Sequence, residues 1–164
     1  MGKVFLLLGG NLGDRKTLIA SAEDELRKQI GDIVLKSSLY ETKAWGKEDQ
    51  PNFLNKAVAI DTKLNAFEIL TIIQHIEIKL GRKKMELWGT RTMDIDILFY
   101  ENEIIDTENL KIPHPLINMR KFVLTPLLEI IPDFIHPGLK KSVKELYLIC
   151  EDKLEVTKLK TDIS

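Results

Sequence analysis

Two aspartates, Asp94 and Asp96, alternate with apolar residues in the segment 92–99. Successive side chains of a β-strand point to opposite faces, so we expect both carboxylates on one face of a strand. The apolar residues expected on the opposite face are Met93, Ile95, Ile97 and Phe99. Neighbouring carboxylates repel each other unless a cation neutralises them, and Mg²⁺ typically binds one or two carboxylates together with substrate phosphates. The spacing therefore predicts a site for magnesium and a nucleotide, and a solvated strand face is the alternative.

A basic stretch flanked by glycines runs from residue 81 to residue 91, immediately before this strand. Its composition fits a mobile lid that closes over a triphosphate and sets Arg82 and Arg91 against developing negative charge. An ordinary solvated loop carries similar charges, but it does not explain Trp88 within the stretch.

A ring and a primary amide, Phe53 and Asn55, alternate in a second predicted strand. They should share a face, where the ring can stack on a flat heterocycle and the amide can hydrogen-bond to its edge. Taken individually, Phe53, Trp88 and Phe122 belong to residue types found more often in a core than against a ligand.

Three further features are ambiguous on their own. The glycine-rich segment 9–14 lies between a strand and a helix, where backbone N–H groups can hold an anion. It lacks the P-loop and dinucleotide patterns, so a tight turn is predicted there. Glu77 can equally lie on a helix surface, and His114, between two prolines, can equally belong to a rigid turn.

The elements that must position these residues alternate in the order β-α-β-β-α-β. Strands are predicted at 4–8, 33–42, 53–62 and 92–100, with helices at 15–29 and from Asn65 to Gly81. Asp14 should cap the first helix, and Asn65 with Glu68 should form a capping box on the second. This order predicts an α+β, ferredoxin-like fold: an antiparallel sheet with two helices on one face and the other face free for a ligand. Extra helical and strand elements should follow, including a helix that begins near Ser142.

Length, charge and cysteine content limit the number of domains and the classes of partner. The 164 residues suit one domain, 1–164, and the formal net charge of −1 gives nothing that recruits nucleic acid or an anionic membrane. The single cysteine, Cys150, cannot form an internal disulfide, and a signal or membrane-spanning segment is not predicted. We therefore expect a cytoplasmic protein, and we also expect a monomer.

Five segments taken together resemble the 6-hydroxymethyl-7,8-dihydropterin pyrophosphokinase family, and they extend over nearly the whole chain. They are 9–15, 49–55, 81–98, 112–115 and 120–127. The resemblance implies transfer of pyrophosphate from ATP to the hydroxymethyl group of a dihydropterin, with two Mg²⁺ ions bound by Asp94 and Asp96, and with Arg82 and Arg91 as catalytic cations. The implied pterin contacts are Thr42, Ala44, Trp45, Phe53, Asn55, Trp88 and Phe122. The implied ATP contacts are Gln74, Glu77, Arg82, Lys84, Trp88, Arg91, Ile97, Leu110, Lys111, His114 and Arg120.

Several positions depart from the family pattern. Lys84 replaces an arginine and loses bidentate phosphate binding, Leu87 and Thr90 replace an arginine and a proline, and Trp45 is bulkier than the usual aliphatic residue. Two alternatives remain at this stage. An ordinary kinase that transfers only the γ-phosphoryl group could use the same acids and arginines, and a non-catalytic ferredoxin-like module could bind a nucleotide.

Overall fold

A computed structural model describes residues 2–11, 13–43, 52–81 and 93–160. In chain order the elements are β1 (Gly2–Gly10), α1 (Arg15–Gln29), β2 (Gly31–Lys36), β3 (Tyr40–Thr42), β4 (Phe53–Thr62), α2 (Ala66–Lys79), β5 (Asp94–Tyr100), β6 (Ile105–Asp106), β7 (Lys111–Ile112), α3 (Lys121–Ile130), α4 (Val143–Ile149) and β8 (Val156–Lys158).

The main sheet has the strand order β5-β1-β4-β3-β8, with β2 pairing along the other half of the β4 edge. All its pairings are antiparallel. The predicted strand 33–42 is therefore two strands that share one side of β4. The chain breaks between them at Ser37, whose hydroxyl oxygen accepts the Ala57 N–H at 2.9 Å. With β2 and β3 counted together, the βαββαβ order and the ferredoxin-like fold are confirmed.

Two hydrophobic cores lie on the two faces of this sheet. Leu6, Leu8 and Ile60 face α1 and α2 in the first core. Phe5 and Leu7 face α3 and α4 in the second core. The expectation of a free second face was therefore wrong for much of its area, because the C-terminal helices cover it. The part of this face that stays open begins beyond Leu7 on β1, where the apolar residues stop.

Local signals set most element ends. The Asp14 carboxylate accepts the Thr17 N–H at 3.2 Å and caps α1. Asn65 and Glu68 form the predicted capping box on α2, and Gly81 has a φ of 93°, which favours glycine at the end of that helix. The predicted end of β1 at residue 8 was wrong, since Gly9 and Gly10 continue the strand. No helix within the described ranges is long and apolar enough to cross a membrane.

A β-bulge in β5 corrects one predicted side-chain direction. Phe5 pairs with Phe99 but Leu6 pairs with Ile97, so Leu98 is an extra residue on β5. Beyond the bulge the alternation is reversed, and Phe99 packs in the second core against Phe5 and Phe134 instead of beside Ile97. The reversal falls after the two aspartates and leaves their alternation intact.

Candidate active site

The open end of the second sheet face carries a row of polar side chains across adjacent strands. Asn55 on β4 and Asp94 on β5 are both paired with Gly9 on β1, and Tyr40 on β3 is paired with Asn55. Directly opposed residues of antiparallel strands share a face. Strands lie about 4.8 Å apart, so the backbones of Asn55 and Asp94 are separated by about 10 Å across Gly9. An amide and a carboxylate therefore flank a residue without a side chain.

The adjacent rows complete this face. Asp96 is paired with Leu7, which lies in the second core, so Asp94 and Asp96 share the face that the sequence predicted. Phe53 is paired with Thr42 and lies two residues before Asn55 on β4, so the two side chains share a face. Thr42 and Asn55 are buried polar residues, whereas both aspartates are partly exposed. The face thus has an aromatic and amide side on β4 and an acidic side on β5.

Gly9 makes room for the Asn55 side chain. A Cβ atom at Gly9 would lie 2.2 Å from the Asn55 side-chain oxygen and 3.1 Å from the Leu54 carbonyl oxygen. The asparagine amide therefore occupies the space that any other side chain would fill. Sequence analysis placed Gly9 in a turn and missed this role, since the signal appears only when the β1–β4 register is known.

His114 approaches the acidic side from outside the sheet. Its backbone N–H donates to the Leu98 carbonyl, and its ring Nδ1 accepts the Leu116 N–H at 3.1 Å. The Nε2 atom then carries the proton and lies 3.9 Å from the nearer Asp96 carboxylate oxygen. Burial lowers the pKa of His114 below its ordinary value, and the charge of Asp94 offsets this only in part. The imidazole is therefore neutral near neutral pH.

Glu77 supports the acidic strand from α2. Its side chain is buried, and one carboxylate oxygen accepts the Ile95 N–H at 2.8 Å. Ile95 lies between the two aspartates on β5, the terminal strand of the sheet order. The outward backbone groups of a terminal strand have no neighbouring strand to bond to, so Glu77 satisfies one of them. The alternative of an exposed helix surface for Glu77 is wrong.

The first turn of α3 carries two more predicted contacts. The Arg120 guanidinium lies over the Phe122 ring, 4.9 Å from the ring centroid, and Phe122 packs against the second core. Arg120 Nε donates to the Asp152 carboxylate at 3.3 Å. Asp152 was not among the predicted site residues, because its sequence neighbours give no sign of contact with residue 120.

The remaining predicted contacts fall into three groups. Ile97 and Leu110 are buried in the first core, on the face opposite the aspartates. Gln74 is exposed on α2, and the Lys111 ammonium pairs with Asp106 at 2.6 Å. An ATP contact by any of these four stays a prediction. Six predicted residues lie outside the described ranges: Ala44, Trp45, Arg82, Lys84, Trp88 and Arg91.

The donor set on β5 suits a hard cation that also binds phosphate. Within the described ranges, no group of three or more His, Cys, Asp and Glu side chains could enclose a metal ion. Two partly exposed carboxylates on one face instead match Mg²⁺, which takes one or two carboxylates and completes its shell with substrate oxygens and water. Asp94 and Asp96 could therefore supply two carboxylate ligands to such an ion, with phosphate or water oxygens as the others.

Comparison with known proteins identifies a family. The family model described as 7,8-dihydro-6-hydroxymethylpterin-pyrophosphokinase matches residues 5–132. A protein from Aquifex aeolicus named 2-amino-4-hydroxy-6-hydroxymethyldihydropteridine pyrophosphokinase is 46% identical over 145 residues, which are 88% of this chain and 90% of that one. A Bacillus subtilis protein of the same name is 49% identical over 127 residues, 77% of this chain and 76% of its own.

Solved structures support the fold. The Plasmodium falciparum HPPK-DHPS crystal structure with pteroate matches with a TM-score of 0.70 at 20% identity, over 90% of this chain. This chain spans only 42% of that one. The family model matches most of the chain and the two relatives are 46% and 49% identical to it, so the chain belongs to the 7,8-dihydro-6-hydroxymethylpterin-pyrophosphokinase family.

Proposed function

We propose that the chain transfers pyrophosphate from ATP to the hydroxymethyl group of 6-hydroxymethyl-7,8-dihydropterin, releasing AMP, as a step of folate biosynthesis. The chain is a transferase with ATP as its co-substrate, as family membership implies. The observation that carries the assignment is the row in which Asn55 and Asp94 flank Gly9. A flat acceptor against Asn55 and a nucleotide held near Asp94 would meet over the glycine.

The pterin side of the site is formed by β3, β4 and α3. The Asn55 amide offers both donors and an acceptor, which suits the alternating donors and acceptors on a pterin edge. Its burial favours this role, because a buried amide needs partners when water is excluded. Phe53 on the same face and Phe122 on α3 are the rings that we assign to the flat surface of the pterin. We assign Thr42, which is paired with Phe53, to the edge of the pterin site.

The nucleotide side is formed by β5 and by the segments that contact it. We assign Asp94 and Asp96 as the residues that hold two Mg²⁺ ions together with the ATP phosphates. When bound, these ions neutralise phosphate charge and orient the phosphate chain. We assign His114, whose Nε2 atom lies 3.9 Å from an Asp96 carboxylate oxygen, and Arg120 on α3 to ATP. Arg82, Arg91, Lys84 and Trp88 remain predicted contacts from sequence alone.

The chemistry asks the protein mainly for positioning. The hydroxyl oxygen of the pterin forms a bond to the β-phosphorus, and the bond from that phosphorus to the α–β bridging oxygen breaks. AMP leaves with the bridging oxygen, the hydroxyl proton is released, and a covalent enzyme intermediate is not required. Asn55 and the aromatic residues fix the acceptor, which converts an encounter in solution into an oriented one. Water must be excluded because it would compete as the nucleophile.

Product analysis tests this function. The protein is incubated with ATP, Mg²⁺ and the pterin alcohol, and AMP and ADP are separated; the control acceptor is the 6-methyl analogue, which lacks the hydroxyl. AMP that depends on the hydroxyl supports the proposal. ADP as the sole nucleotide product would identify a γ-phosphoryl kinase, and binding without turnover would identify a non-catalytic module.

We further propose that residues 1–164 act as one catalytic domain and as a monomer. A cytoplasmic location stays a prediction from sequence.

A further inference from the structure

The N-terminus of α3 is capped by a residue from far along the chain. Arg120 occupies the N-cap position and makes no side-chain capping bond. Instead, the Asp152 carboxylate accepts the Lys121 N–H, the first of the helix, at 2.9 Å. The side chain of Asp152 is only 14% exposed. A carboxylate at this end satisfies an otherwise unpaired donor and complements the positive end of the helix dipole.

The same carboxylate oxygen also fixes the direction of Arg120. It accepts the Arg120 Nε–H at 3.3 Å, so the inner nitrogen of the guanidinium is held while its plane lies over Phe122. Burial raises the pKa of Asp152, but hydrogen bonds from Lys121, Leu154 and Arg120 outweigh it, and the pKa lies below its ordinary value. Asp152 is therefore charged at neutral pH and binds Arg120 as an ion pair. One carboxylate therefore binds both a backbone N–H and a cationic side chain of the same helical turn.

Asp152 is itself held in place on the other side. Its second oxygen accepts the Leu154 N–H at 3.0 Å. The chain then enters β8, where Val156 pairs with Thr42 on β3. The carboxylate thus joins the first turn of α3 to the strand edge that carries a predicted pterin contact.

We propose that Asp152 is a positioning residue for substrate binding, which orients Arg120 for the ATP phosphates and Phe122 for the pterin ring. This inference rests on the proposed function, because Arg120 and Phe122 are assigned to the substrates there. Residues that orient metal-binding side chains typically change affinity by about 10- to 100-fold when they are replaced, and we expect an effect at the lower end of that range here.

The test measures binding rather than turnover. The variants are Asp152→Asn, Asp152→Ala, Arg120→Ala and the double variant Arg120→Ala with Asp152→Asn. The probes are α,β-methylene ATP with Mg²⁺ and 6-hydroxymethylpterin, each titrated by calorimetry into the full chain. Ser142→Ala is the matched control, since Ser142 caps α4 in the same C-terminal region. Thermal unfolding of every variant records the loss of stability alone.

Asp152→Asn keeps an oxygen for the Lys121 N–H, but it loses the charge that holds Arg120. Its second oxygen becomes an NH₂ group, so the Leu154 N–H also loses its acceptor. We therefore expect the variant to fold with a modest loss of stability, which thermal unfolding records. We expect it to weaken binding of the ATP analogue by about 10-fold, and to add little in the Arg120→Ala background. Ser142→Ala should lower stability and leave both affinities unchanged. Two outcomes would overturn the inference, provided that Arg120→Ala weakens binding of the ATP analogue. One is wild-type affinity in Asp152→Asn. The other is a loss of affinity from Asp152→Asn that is as large in the Arg120→Ala background as in the wild type. If Arg120→Ala binds normally, the assignment of Arg120 to ATP falls as well.

Discussion

Replacement of Gly9 by alanine should weaken pterin binding selectively. The added Cβ would lie 2.2 Å from the Asn55 side-chain oxygen, whereas ordinary contacts begin near 3.4 Å. The amide must therefore withdraw by about 1 Å or rotate, because an overlap of this size is strongly repulsive. The hydrogen bonds of Asn55 to a pterin would be lost or distorted, which costs about 1 to 3 kcal/mol for a buried polar group. The dissociation constant for the pterin should rise by roughly 5- to 150-fold.

Calorimetric titration with 6-hydroxymethylpterin measures this effect. Gly2→Ala is the matched control, since it lies on the same strand at the opposite end and its Cβ would meet the Tyr100 hydroxyl at 2.5 Å. Both variants suffer a similar clash with the end of a side chain, but only Gly9 lies beside Asn55. The control should bind the pterin as the wild type does. An unchanged pterin affinity in Gly9→Ala, or an equal loss in both variants, would refute the reasoning.

Three further predictions follow from the described contacts. Asp96→Ala should abolish turnover while the melting temperature changes little, because Asp96 is partly exposed and off the first core; full activity would contradict the metal assignment. Glu77→Ala should lower the free energy of unfolding by about 1 to 3 kcal/mol, because the Ile95 N–H loses its partner; a variant as stable as wild type in urea would contradict this. Burial raises the pKa of Glu129, but bonds from Ser38 and Tyr40 outweigh it and leave the pKa below the ordinary 4.5. The stabilisation by ionised Glu129 is therefore complete above pH 4.5 and is lost as the pH falls through the folded-state pKa. Glu129→Gln should be less stable than the wild type near pH 7, and the difference in stability should shrink in acid. A difference that stays constant across pH would contradict this.

The sequence predicted the elements whose signals are local. Helix α1 begins after Asp14 and α2 after Asn65, as their caps indicate, and β4 has the predicted bounds. The shared face of Asp94 and Asp96 follows from strand alternation alone. These features need no knowledge of which strands are neighbours.

Features that depend on pairing or on distant contacts could not be predicted. The bulge at Leu98 reverses the direction of Phe99, and it becomes visible only in the register with β1. Helix α3 contains Pro126, which disfavours a helix in any local analysis, yet packing against the second core keeps it helical. Its position then covers much of a sheet face that was expected to be open.

The candidate site shows the same division. Asn55, Phe53 and the aspartates were found from residue type and spacing, and the structure brings them onto one face. Gly9 and Asp152 were missed because each acts on a residue distant in sequence, Gly9 on Asn55 and Asp152 on Arg120. Residues of this kind carry no chemical signature of their own.

A crystal structure with α,β-methylene ATP, Mg²⁺ and 6-hydroxymethylpterin tests the central claim most directly. The predicted result is a pterin ring over Gly9 with its polar edge on the Asn55 amide, and Mg²⁺ bound jointly by Asp94, Asp96 and phosphate oxygens. Ligands bound elsewhere on the chain, or an Asp94 and Asp96 pair that contacts only water in the presence of all three, would contradict it.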